Sequence, residues 1–64
     1  MIPSDIHKIA DKMGISWDGD KKFMSWCQDV VGKKHLDDMI EVELIMIYNR
    51  IKNGKYPQML NKNA

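Results

Sequence analysis

Residues 13–52 read MGISWDGDKKFMSWCQDVVGKKHLDDMIEVELIMIYNRIK, and the punctuation of this stretch decides the fold. Phe23, Met24, Cys27, Val30 and Val31 recur at steps of three and four, the spacing that lines one face of an α-helix. Trp26 lies beside that face, within reach of Phe23 and Val30. Asp18 stands ahead of the run as the expected N-cap, with Asp20 in the first turn, where carboxylates meet unsatisfied backbone N–H groups. Gly32 follows the run at the place where a helix ends in a left-handed residue. Lys33 and Lys34 come next, suited to the negative helix end. Residues 35–39 form a compact turn with two apolar anchors, Leu36 and Met39. A further helix should start at Ile40 or Glu41 and run to Asn53, stopped by Gly54. Glu41 and Glu43 fall in its first turn and Arg50 and Lys52 in its last, both matching the helix dipole. Ile40, Leu44, Ile47 and Ile51 make its core stripe, with Tyr48 alongside. Val42, Ile45 and Met46 fall on a different face, so this helix is more apolar than one interface requires.

Working outward, Ser4 is the expected cap of a first helix, followed by Asp5 at the positive end of its dipole. Ile6, Ile9, Ala10 and Met13 recur at helical spacing, and Gly14 closes the run. Ile15-Ser16-Trp17 is then a short connector. Beyond Lys55 the stretch YPQMLNKNA reads as a loose end. The expected organisation is one all-α domain, a small three-helix bundle over residues 1–56, with a flexible tail over 57–64.

A chain of 64 residues holds one domain at most. Such a domain has a stability on the order of 3–5 kcal/mol and little room for a deep cleft beside its core. With 44% hydrophobic and 30% charged residues, the composition is that of a globular chain. One cysteine excludes an internal disulfide and suggests a reducing compartment. No apolar run approaches the ~18 residues of a membrane span, and the N-terminus lacks a signal-peptide core. A cytoplasmic protein is expected. Ten basic residues against nine acidic ones give a net charge of +1, which is no nucleic-acid signature in itself.

The motifs argue against chemistry. His7 and His35 stand far apart, and zinc needs about four converging ligands. Cys27 sits on an apolar face, where a lone thiol acts as a small hydrophobe. Asp18 and Asp20, or Asp37 and Asp38, serve caps and turns. No enzyme activity, metal or cofactor is expected. Lys33, Lys34 and His35 could contact phosphates or an acidic peptide, or could simply cap a helix in solvent. Trp17 and Trp26 are most simply core residues; the rival reading is a partner pocket rimmed by Trp and Lys. The face of Val42, Ile45 and Met46 suits an interface, including a homodimer contact. A DNA reader would use the last helix, whose outer face begins with Glu41 and Glu43, and acids there repel phosphate.

One family shares this pattern. A first amphipathic helix (IHKIADKMG), Trp17-Asp18 before the next helix, Cys27 mid-helix, the basic turn Lys33-Lys34, then Leu36 and Met39 ahead of Glu41 and Glu43, together resemble the small helical C-terminal domain of phage single-strand annealing proteins of the lambda Red-beta type. A weaker likeness is to phage Mu GemA-like proteins. The resemblance covers Ile6 to Lys52. It departs where such helices begin with Ser or Thr, since Ile40 stands there and capping would fall to Asp38 or water. The large annealing domain has no counterpart here, so strand annealing is not expected.

The resemblance implies an adaptor that recruits a partner protein, such as the acidic tail of a single-strand-binding protein or a partner exonuclease. It places Trp17, Lys33, Lys34, Leu44 and Tyr48 in the binding region. Adding the spare apolar face, the expected partner-binding residues are Trp17, Lys33, Lys34, Val42, Ile45, Met46 and Tyr48. Two alternatives stand beside this reading. One is a free-standing small phage inhibitor of a host defence or nuclease complex, which the opening Met and polar end would suit. The other is a small DNA-binding regulator.

Overall fold

The computed structural model describes residues 1–57. Helix α1 spans Pro3–Lys12, α2 spans Lys21–Val31 and α3 spans Glu41–Lys52, with a 3₁₀ turn at Leu36–Asp38 between α2 and α3. No strand occurs among the described residues, and the expected three-helix bundle is what the chain forms. Helix α3 is the shared wall, lying against both α1 and α2.

The helix ends were legible and two of the starts were not. Gly14, Gly32 and Gly54 all carry positive φ, at 74°, 81° and 73°. After α1 the Ile15 N–H donates to the Ala10 carbonyl at 2.8 Å, and after α3 the Lys55 N–H donates to Arg50 at 2.8 Å. These back-bonds satisfy carbonyls the helices leave open, and they turn the chain onto the bundle. Ser4, expected to cap α1, lies inside the helix. Ile2 is the cap residue, because Pro3 favours the first helical position and Asp5 accepts the Ile2 N–H at 2.9 Å. Asp18 is likewise not the cap of α2. Asp20 is, accepting the Phe23 N–H at 3.0 Å across the three-residue offset that a cap requires. That bond is the main reason the Asp20 carboxyl is held below its ordinary range. At α3 neither Asp38 nor any other side chain caps from the Ile40 side; Glu43 reaches back to the Ile40 N–H at 2.9 Å.

The core comprises Ile6, Ile9 and Ala10 from α1, Phe23 and Cys27 from α2, and Leu44, Ile47 and Ile51 from α3. Ile15, Leu36, Met39 and Tyr56 close its ends. No charged residue is buried among them. Burying each large apolar side chain contributes about 1.5–3 kcal/mol before the entropy of ordering is deducted. Ile40, expected in the α3 stripe, is 59% exposed. It precedes the helix with extended backbone (φ −81°, ψ 169°), so helical spacing does not govern where it points. Tyr56 departs in the other direction. Expected in a loose end, it is only 1% exposed. Its ring meets Trp26 edge-on at 4.9 Å and Phe23 at 5.8 Å. The tail expected over 57–64 lies, after Pro57, outside the described residues.

Candidate functional site

The residues expected to bind a partner do not form one site, although Trp17 and Lys34 line the same cleft. Trp17 closes onto α1: its ring stacks on His7 at 3.7 Å and 6° between planes, and its Nε1–H donates to Asp11 Oδ1 at 2.8 Å. Lys33 is engaged elsewhere, its Nζ donating to Glu43 Oε1 at 2.9 Å. That contact, with the Ile40 N–H second, holds the Glu43 carboxyl below its ordinary range. Lys33 and Glu43 therefore pin the loop after α2 to the first turn of α3, and this basic residue is spent on the fold. Lys34 is exposed and lines a cleft of about 230 Å³ together with Trp17, His7, His35 and Asp37. Tyr48 is half-buried and faces α1, where it lines a depression with Met1, Asp5, Lys8 and Lys12. Leu44 is a core residue, 3% exposed. Val42, Ile45 and Met46 are exposed on α3, as their spacing indicates.

A second cleft, which the sequence did not single out, combines the expected ingredients. It measures about 360 Å³ and is lined by Lys21, Lys22, Ser25, Trp26, Asp29, Tyr56 and Pro57. Helix α2 sets this arrangement. Trp26 stands at the edge of the buried Phe23–Cys27 face, so part of its ring is held in the core and part faces out. Lys22 is four residues before Trp26 and Asp29 three after it, which puts both on the same side of the helix. The backbone turn at Gly54 then delivers Tyr56 to the edge of the indole. The result is an aromatic and proline wall with two ammonium groups and one carboxylate at its rim. Lys21 also lines the neighbouring depression with Met24, Gln28 and Lys34, so the basic groups of α2 extend towards the Trp17 cleft.

The signal for this site was an aromatic placed just after a helix-stopping glycine and just before Pro57. An aromatic in a polar stretch has no periodicity to reveal its partner, and its burial against Trp26 is a tertiary fact.

Cys27 is fully buried, and burial pushes its thiol up to about 12, away from the thiolate that a nucleophile or metal ligand needs. Among the described residues no group of three or more His, Cys, Asp or Glu could hold a metal ion, and no helix is long and apolar enough to cross a membrane. No protein-family model matches the chain, and neither does any curated protein or solved structure.

Proposed function

We propose that this chain is a non-enzymatic protein–protein interaction module that takes up an acidic peptide with an apolar end, in the setting of phage or mobile-element DNA recombination or replication. The observation that carries the reading is the α2 cleft, where Trp26, Tyr56 and Pro57 form an apolar wall beside Lys21 and Lys22. An apolar ligand side chain would lose its hydration against the indole. Its neighbouring carboxylates would accept charge-assisted hydrogen bonds from the two ammonium groups, which are stronger than neutral ones. Asp29 is the one acid on the rim, and the two lysines outnumber it, so the rim's balance of charge favours an acidic ligand. The resemblance to the annealing-protein C-terminal domain supports the biological setting and the partner class, an acidic tail of a single-strand-binding protein. Relative to the sequence expectation, the basic contribution moves from Lys33 and Lys34 to Lys21 and Lys22, because Lys33 is tied to Glu43.

Tryptophan fluorescence tests this. An acidic, Phe-terminated peptide should produce a saturable shift that weakens with salt, and an oligonucleotide of equal charge should not. The K21E/K22E variant should bind at least tenfold more weakly while keeping its helical circular dichroism. Undiminished binding by K21E/K22E refutes the cleft. A response to oligonucleotide alone would replace the adaptor by a DNA regulator, and no response to either would favour the inhibitor.

A further inference from the structure

We propose that the exposed face of α3 pairs antiparallel with the same face of a second copy of this chain, about a two-fold axis. Val42, Ile45 and Met46 are 56%, 39% and 37% exposed. At about 100° per residue they share one stripe with Asn49 and Asn53, opposite the buried Leu44, Ile47 and Ile51. The stripe therefore carries no charge along its whole length. Every charged residue of α3 flanks it, about 90° round the helix on one side or the other. Glu41 and Lys52 occupy one flank, and Glu43 and Arg50 the other.

The order of these charges selects the occupant. On each flank the acid lies near the start of α3 and the base near its end. A two-fold axis perpendicular to the helices sets each flank against the same flank of the other copy, running in the opposite direction. With that axis at the level of Met46 and Ile47, Glu41 comes level with the partner's Lys52. The same register brings Glu43 level with the partner's Arg50. Both flanks are satisfied by one symmetry operation, and Ile45 and Met46 fall at its centre. A parallel pair would instead set the Glu41–Lys52 flank against the partner's Glu43–Arg50 flank, acid beside acid and base beside base. Glu41 and Glu43 already hold the N-terminal amine at 3.1 Å and Lys33 at 2.9 Å. A carboxylate has acceptor capacity for a second donor. Arg50 and Lys52 are exposed and make no ion pair among the described residues.

Apolar burial supplies the attraction, and the flanking charges set direction and register. One helix of this length spans about 18 Å, so the contact lies below the roughly 1,200 Å² of a standard stable interface. The pair is accordingly weak, with a dissociation constant on the order of 10–100 µM. The surface shares no residue with the α2 cleft, so its test and the peptide test fail independently.

Sedimentation equilibrium of the full chain between about 10 µM and 1 mM reads the association directly, on either side of that constant. The mass should rise from 7.5 kDa towards twice that value and stop. I45K should abolish the rise, with M46K as a second disruption and circular dichroism confirming that both are folded. E41K alone and K52E alone should each weaken association about tenfold, since each sets like charges together at two symmetric places. The double variant E41K/K52E should restore it, and a mixture of the two single variants should associate more strongly than either alone. A wild-type mass that stays at 7.5 kDa throughout, or that grows past the dimer, overturns the proposal. So does failure of the charge swap to restore association.

Discussion

Tyr56 offers the sharpest test of how this domain holds together, because its two ends pull in opposite directions. The ring is a keystone. It is 1% exposed and packs on Trp26 and Phe23, at a point where no helix forces it to be. Truncating a buried aromatic to alanine costs about 3–5 kcal/mol. A domain of this size has only about 3–5 kcal/mol in total, so Tyr56→Ala should leave it unfolded or nearly so at 25 °C. The hydroxyl is a liability. Its oxygen is buried and has no hydrogen-bond partner among the described residues. A buried polar group left unpaired costs about 1–3 kcal/mol relative to its hydrated state in the unfolded chain. Tyr56→Phe removes that cost and keeps the ring, so it should stabilise the domain by about 1 kcal/mol and raise Tm by about 4–8 °C. The pH dependence carries the same message. Burial, with Asp20 and Cys27 nearby, pushes the phenol above its ordinary value of 10.0. A group whose pKa is raised by folding contributes stability that is intact below its unfolded value and lost as pH rises past it. Wild type should therefore lose stability above pH 10 more steeply than Tyr56→Phe. Urea and thermal unfolding, followed by circular dichroism and tryptophan fluorescence, measure all three. A Tyr56→Ala variant melting within a few degrees of wild type would refute the keystone role. A Tyr56→Phe variant less stable by more than ~1 kcal/mol would show that the hydroxyl has a partner after all.

Three further outcomes follow from the same structure. Burial raises the Cys27 thiol from 9.0 to about 12, so folding stability should be intact below pH 9 and fall across pH 9–12 by up to about tenfold in folded-to-unfolded ratio per unit. Cys27→Ala should flatten that part of the alkaline unfolding curve. Gly32 sits at φ 81° with open space where a side chain would go, so Gly32→Ala should cost about 1 kcal/mol from backbone strain alone, measured by urea unfolding. Lys33→Ala should lower Tm at pH 7, and the loss should shrink as pH falls below the ordinary carboxylate range, because Glu43 has a lowered pKa and its ion pair is lost only as the folded-state carboxyl is protonated.

How far the chain could be read without coordinates depended on the range of the interaction concerned. The stops at Gly14, Gly32 and Gly54 rest on one residue adopting a left-handed conformation, which glycine does at little cost, and all three were legible. The starts depend on which carboxylate lies three residues before a free N–H. Asp18 and Asp20 look equivalent by composition, and only Asp20 has that geometry with Phe23. Pro3 similarly moved the first helix start ahead of Ser4. Core stripes in α1, α2 and α3 followed their period, with Ile40 lost because it is not in the helix and Met24 lost because it lies at the edge of the α2 face, lining surface clefts. The binding residues were the least legible. Trp17 and Lys33 looked like the halves of a pocket, yet each found a partner within the fold, at Asp11 and Glu43. Trp26 and Tyr56 meet across 30 positions, and no local pattern encodes that meeting.

The most direct test of the α2 cleft is a two-dimensional ¹H–¹⁵N spectrum of the labelled chain, titrated with the acidic, Phe-terminated peptide. The two indole N–H signals report separately on the Trp17 and Trp26 clefts. The account predicts a saturable shift of the Trp26 indole together with the backbone signals of Lys21, Lys22, Ser25 and Tyr56, while the Trp17 indole stays bonded to Asp11 and unmoved. Shifts centred on Trp17 and Lys34, or no shift at peptide concentrations approaching millimolar, would contradict it.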